Sequence, residues 1–184
     1  MKTLVVGGTG PTGPAIVAGL AARGHDVTIC HTGSHELPEV EAYRHIHTDI
    51  RDHASLVATI GAEDWDAAIV TYGRLRTIAE VLVGRADHVI SVGGGPADRG
   101  YFDPWRHEPP GLPAPIREDA PTSTEDDDGK SYRIAATEQQ LFEHHPGATH
   151  FRYPWVYGPR QLAPREWSVV RRVLDGRPHI VLPD

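Results

Sequence analysis

The chain has 184 residues, enough for one domain with a substantial buried core and little room for a second. Hydrophobic residues make up 39% and charged residues 23%, which excludes a disordered or fibrous chain, and a net charge of -7 with no basic stripe excludes a nucleic-acid-binding surface. No apolar run reaches the roughly 18 residues that span a bilayer, and Met1-Lys2 leads straight into a strand-like run, so the expectation is a cytoplasmic protein with no membrane partner.

Thr3 to Val6 reads as the first strand. It runs directly into Gly7-Gly8-Thr9-Gly10-Pro11-Thr12-Gly13, spaced Gly-x-x-Gly-x-x-Gly, and then into a helix from near Pro11 through Ile16, Val17 and Leu20 to Arg23, stopped by Gly24. One glycine suits the tight turn, one the close approach of a pyrophosphate, and one the packing of helix on strand, while free N–H groups at the helix start meet the anion. This is the chemistry of dinucleotide binding. The other common phosphate loop requires a lysine that is missing here, which disfavours a nucleoside-triphosphatase.

Val27 to Cys30 is the second strand and completes a βαβ unit. Cys30, the single cysteine, sits in an apolar run and reads as a buried, inert thiol. The strand ends on Cys30-His31-Thr32-Gly33-Ser34, where an acid would accept ribose hydroxyls and an arginine would favour the extra phosphate of NADP. With neither present, the reading leans to NADP over NAD, because nothing repels that phosphate.

His45 to His47 is the third strand, and its period of two points both imidazoles to one face. No carboxylate or cysteine cluster completes a recognisable ligand set around the twelve histidines, so no metal site is expected. A helix over His53 to Ile60 has Asp52 as its N-cap; Ala67 to Val70 is a strand, Leu75 to Val83 a helix and His88 to Val92 a strand. Gly93 to Lys130 carries seven of the 16 prolines and the acidic run Glu125 to Asp128, and reads as a long loop, either a surface excursion or a substrate-facing segment. A helix from about Tyr132 to His144 follows, with His144 and His145 suiting its C-terminal dipole. Thr149 to Arg152 is the sixth strand, Pro164 to Gly176 a last amphipathic helix, and Ile180 to Leu182 a short apolar run. The alternation predicts an α/β fold, a Rossmann-type doubly wound parallel sheet with helices on both faces.

Val5-Val6-Gly7-Gly8-Thr9-Gly10-x-x-Gly13 resembles the opening of the NAD-dependent epimerase/dehydratase family, the extended short-chain dehydrogenase/reductases. Asp49-Ile50 is similar to the family's aspartate and aliphatic residue near the adenine, and Arg152-Tyr153-Pro154-Trp155-Val156-Tyr157-Gly158-Pro159 to its Arg-Tyr-Phe-Asn-Val-Tyr-Gly-Pro segment. The resemblance covers nearly the whole chain in the right order; it is specific for the family and unspecific for the substrate.

It implies NAD or NADP lying across the carboxyl ends of the strands. The cofactor-binding residues would be Gly7, Thr9, Gly10, Pro11, Thr12 and Gly13, then His31, Thr32, Asp49, Ile50, Thr71, Tyr72, Gly73, Tyr153 and Pro154. It further implies an oxidoreductase, epimerase or dehydratase acting on a small carbonyl- or hydroxyl-bearing substrate. Residues 1–163 would form the dinucleotide-binding domain and 164–184 the start of a C-terminal substrate-binding portion, which family members continue well beyond this length, so that portion reads as truncated. A homodimer built on helices flanking the sheet is compatible with the resemblance.

Family catalysis uses a tyrosine with a lysine four residues on, the lysine lowering the phenol pKa. Tyr132 is the candidate catalytic residue, yet Ala136 stands four residues later; aligning on Glu138 instead puts Lys130 and Ile134 at the two positions. The family's catalytic serine or threonine falls on Gly93, with Ser91 expected to be buried in the strand, and Trp155 replaces the family's asparagine. These departures leave two alternatives open: a non-catalytic dinucleotide-binding module serving as sensor or partner-binding protein, and an inactive fragment of a longer enzyme.

Overall fold

The structure of the chain, a computed structural model, describes residues 1–71, 73–106, 108, 110, 115–161 and 163–179. Leu4, Val5 and Val6 are all essentially inaccessible, although successive residues of a strand point to opposite faces. Both faces are therefore covered, which is why the first strand reads as an unbroken apolar run rather than an alternation. Leu4 and Val6 pack with Leu56, Trp65, Ile78 and Leu141, whereas Val5 packs with Val17, Ile29 and Val40 on the other side.

The elements run β1 (Lys2–Val6), α1 (Gly13–Ala21), β2 (Asp26–His31), β3 (Arg44–His47), α2 (His53–Ala58), β4 (Trp65–Val70), α3 (Leu75–Val81), β5 (Ala86–Gly94), α4 (Gly129–His144), β6 (Thr149–Tyr153) and α5 (Trp167–Leu174). All six strands are parallel in the order β3-β2-β1-β4-β5-β6. This is the doubly wound Rossmann-type order: the winding reverses between β3 and β4, and β1 and β4 lie side by side at the reversal. Because every strand is parallel, the residues just past each strand's C-terminal end share a single edge of the sheet.

Two helices start where their caps allow rather than where the apolar pattern does. Pro11 and Thr12 belong to the glycine-rich turn, so α1 begins at Gly13. Asp128 accepts a hydrogen bond from the Lys130 amide at 2.9 Å and so extends α4 back to Gly129. Asp52 caps α2 through the Ala54 amide at 3.1 Å. The long connection after β5 is tied at its stem by an antiparallel bridge between Asp98 and Thr122, with amide bonds from Arg99 to the Pro121 carbonyl and from Ser123 to the Ala97 carbonyl, both 2.9 Å. The run Ile180 to Leu182 lies outside the described residues.

Trp65 is 2% exposed, and its Nε1 donates to the Ile60 carbonyl at 3.0 Å. Trp65→Phe removes the donor and leaves that carbonyl buried without it, so we expect a loss of about 1–3 kcal/mol. Urea unfolding of both proteins measures this; an unchanged midpoint would mean that the carbonyl finds another partner.

The chain divides into two compact units, Met1–Pro154 and Trp155–Asp184. The division precedes the boundary expected from the sequence because residues just after Pro154 make contacts within the second unit: the Arg165 guanidinium stacks 3.3 Å from the centre of the Trp155 ring. No helix among the described residues is long and apolar enough to cross a membrane.

Candidate functional site

The glycine-rich turn leaves β1 beside β2, with the Gly7 amide donating to the Cys30 carbonyl at 3.0 Å. A Cβ on Gly13 would lie 2.2 Å from the Gly8 carbonyl oxygen, so α1 can rest on the turn only if position 13 lacks a side chain. Gly10 is roomier: a Cβ there would meet only the Gly7 carbonyl oxygen, at 3.4 Å. Thr12 caps α1 without a side-chain hydrogen bond, and the first turn holds no acid, so nothing negative competes for the helix N-terminus.

The other residues expected to touch a dinucleotide gather on the same edge. His31 closes β2 and Thr32 follows it; Asp49 and Ile50 follow β3; Tyr153 closes β6 and Pro154 follows it. Thr71 is pinned to β1, its amide and hydroxyl both donating to the Val6 carbonyl at 3.0 and 2.9 Å. The Ile50 side chain lies 3.1 Å from where a Cβ on Gly73 would stand, so the loops that follow β3 and β4 meet. Tyr72 lies outside the described residues. Cys30 is buried, and burial pushes its thiol up to about 12, as expected of an inert cysteine.

Beyond β4 a cleft of about 620 Å³ opens between α3, α4 and the ends of β4 and β5. From α4 it is lined by Lys130, Arg133, Ile134, Thr137 and Glu138, the i, i+3, i+4, i+7, i+8 face of that helix. The register set by Glu138 is therefore the one that faces the cleft: Lys130 and Ile134 stand where the resemblance places tyrosine and lysine. Tyr132 and Ala136 are not among the lining residues. The Tyr132 phenol donates to Glu125 Oε1 at 2.8 Å, and that bond pushes its pKa up, opposite to the shift a tyrosinate base needs. Arg74, also lining the cleft, has φ of 29°, a strained value for a residue with a side chain and of the kind that concentrates at functional sites.

Gly93 lines the cleft because an imidazole occupies the space its side chain would take. A Cβ there would lie 2.4 Å from His150 Nε2, so a serine or threonine would require the imidazole to move. His150 Nδ1 is 2.6 Å from Ser91 Oγ, and Nε2 is 3.3 Å from Glu138 Oε1 but off the line of a good hydrogen bond, which leaves it buried without a proper partner. Ser91 is fully buried, as expected.

Glu138 is held in turn by Arg152, whose Nε and Nη2 donate to it at 2.7 to 3.1 Å, while Nη1 donates to Asp98 at 2.8 Å. Burial opposes the Glu138 charge, but His150 and Arg152 outweigh it and keep the carboxyl below its ordinary range. Asp98 receives one bond from the shared cation, and burial pushes it up. The one signal for this network in the sequence was its strand phase: Ser91, His150 and Arg152 are polar residues on a strand face that should pack against a helix.

A second cluster lies at the ends of β2 and β3. His31 and His47 are register partners, and His45 shares their face. Glu36, from the loop after β2, reaches all three, at 3.7 Å from His31 Nε2, 3.7 Å from His45 Nδ1 and 2.9 Å from His47 Nε2. The carboxylate missing from the local sequence pattern of these histidines is thus Glu36, delivered by a loop without periodicity.

No protein-family model and no curated protein matches the sequence. Solved structures match its fold. The enzyme WbmH of Bordetella bronchiseptica, in complex with NAD+, superposes with a TM-score of 0.70 at 18% identity over 95% of this chain and 62% of its own. The UDP-glucose 4-epimerase of Thermus thermophilus, in complex with NAD, gives 0.69 at 20% over 97% and 64%. The dTDP-glucose 4,6-dehydratase of Bacillus anthracis, in complex with NAD, gives 0.67 at 16% over 96% and 62%. This chain spans less than two thirds of the length of those enzymes. In fold, though at low sequence identity, it is similar to NAD-bound epimerases and dehydratases, in line with the resemblance its motifs carry.

Proposed function

We propose that the chain binds a nicotinamide dinucleotide across the carboxyl edge of its sheet and serves epimerase-, dehydratase- or reductase-like chemistry on a small carbonyl- or hydroxyl-bearing substrate. The observation that carries the reading is the turn from Gly7 to Gly13 at the reversal of the sheet, where the absence of a side chain at Gly13 lets α1 rest directly on the turn. Gly7, Thr9, Gly10, Pro11, Thr12 and Gly13 would hold the pyrophosphate, and His31, Thr32, Asp49 and Ile50 the adenosine half. Thr71, Gly73, Tyr153 and Pro154 would face the nicotinamide half. Glu36, beside His31, adds an acid close to the end of β2 and favours the ribose diol of NAD over the phosphate of NADP.

The bound nicotinamide would supply hydride transfer; the chain supplies position and charge. Although the protein carries -7 overall, Arg74, Arg76, Arg133 and Lys130 line the cleft, and its acid, Glu138, is committed to Arg152. That balance suits a substrate with an anionic group. Lys130 faces the cleft at the family's tyrosine position and would stabilise negative charge developing on a carbonyl oxygen. A second reading, a dinucleotide-binding module without catalysis, is favoured by Ile134 at the lysine position and by His150 in place of a hydroxyl at position 93.

Titration with NADH and NADPH, followed by nicotinamide fluorescence, tests the binding. We expect saturation, tighter for NADH, and at least about tenfold weaker binding by Gly10→Asp, roughly 1.4 kcal/mol, because position 10 has room for a side chain but not for a carboxylate facing a pyrophosphate. No saturation by the folded wild-type chain would overturn the proposal. Turnover of bound NADH with a panel of phosphorylated carbonyl compounds then separates enzyme from module.

A further inference from the structure

We propose that Glu36, His45 and His47, completed by His31, form a binding site for a divalent transition-metal ion of the zinc class. The inference goes beyond the dinucleotide reading, with which it shares Glu36 and His31. One atom from each residue, an imidazole nitrogen or a carboxylate oxygen, lies within 4.8 Å of all the others. Around a tetrahedral ion with bonds of about 2.0–2.1 Å, ligand atoms stand roughly 3.3 Å apart. The separations here, 2.8 Å from His31 Nε2 to His45 Nδ1 and 2.9, 3.7 and 3.7 Å from Glu36 to the three rings, bracket that value. Small side-chain movements would close the set around one ion.

The site is built rather than accidental. His45 donates its outer nitrogen, Nε2, to the carbonyl of buried Val40 at 2.9 Å, which leaves the lone pair of Nδ1 facing the cluster. That is the arrangement by which a backbone carbonyl fixes the tautomer and orientation of a ligating histidine. The His47 ring rests on the turn after β2, 3.3 Å from where a Cβ on Gly33 would stand. His31 is the fourth ligand. Its Nδ1 accepts from the Gly33 amide at 3.2 Å, so the ring's single proton sits on Nε2 and is shared with His45; ligation through Nε2 requires that proton to shift to Nδ1, at the expense of the bond from Gly33. The inner pair, His31 and His45, is 7% and 13% exposed, while His47 and Glu36 are half exposed, which gives the ion a path in from solvent. Three imidazoles with one carboxylate suit zinc and its neighbours over magnesium or calcium, which prefer all-oxygen sets.

Isothermal titration of the metal-free chain with Zn2+ tests the site, with Co2+ absorption as a second readout of the ligand set. One ion per chain is expected. His47→Ala and Glu36→Gln, exposed positions that should leave the fold intact as checked by thermal melting, should each weaken binding by at least about a hundredfold, the upper end of what even supporting partners of ligands contribute. His88→Ala, outside the cluster, should bind as wild type. No Zn2+ binding, or equal binding by His47→Ala, Glu36→Gln and wild type, would overturn the inference. Because Glu36 and His31 also stand at the adenosine end of the proposed dinucleotide site, the NADH titration is run on the metal-free chain, so that failure to bind Zn2+ and failure to bind NADH are read separately.

Discussion

Gly13→Ala is expected to abolish dinucleotide binding and to destabilise the chain by at least about 3 kcal/mol, the upper end of the usual cost of overpacking. The added methyl would meet the carbonyl oxygen, carbonyl carbon and Cα of Gly8 at 2.2, 2.3 and 2.8 Å. These are backbone atoms of the turn that follows a central strand, and a rotamer change cannot relieve the clash. Either α1 lifts away from the sheet, exposing Val17 and its contacts with Val5 and Ile29, or the turn opens and the helix N-terminus no longer faces it. Thermal unfolding and the NADH titration read the two consequences separately. Gly10→Asp is the contrasting case, with binding weakened and melting temperature nearly kept. A Gly13→Ala chain that melts with the wild type and binds NADH equally would refute the account of the turn as a steric clamp.

Much of this fold was legible because the strands are short apolar runs separated by turn residues and helices with 3.6-residue spacing. All six predicted strands form, and the glycine-rich turn falls at the switch between the two halves of the sheet. The chemistry was less legible, since it depends on residues that only the fold brings together. Gly93 and His150 belong to different strands, and no local pattern says that the ring of one fills the missing side chain of the other. Glu36 comes from an irregular loop, so the histidine pattern of β3 could not announce its carboxylate. The register of α4 is the instructive case. The sequence contained both alignments, through Tyr132 and through Glu138, and only the helix face turned toward the cleft selects the second.

Arg152→Ala should also cost about 3 kcal/mol at neutral pH, the lower end of the range for stranding a buried charge, since 24% of the Arg152 side chain still meets solvent. The cation serves two carboxylates that are nearly inaccessible, Glu138 and Asp98, from different elements, so its loss leaves both uncompensated and unties the loop after β5 from β6. The pH dependence distinguishes charge from packing. In the wild type Glu138 is held low, so its contribution is complete above the unfolded carboxyl pKa and fades as pH falls through the folded value. Asp98 is held high by burial and acts in the opposite sense, stabilising most below the unfolded value and losing that contribution as pH rises through the folded one. Without Arg152 both carboxyls rise, and the folded variant takes up protons more readily than the unfolded chain. Its stability must then increase, relative to wild type, as the pH is lowered toward the carboxyl range of about 4. Urea unfolding of the two proteins at neutral pH and near pH ~4.5 should show the gap narrowing in acid. An equal gap at both values would assign the effect to lost packing by the arginine stem instead of to the stranded carboxylates.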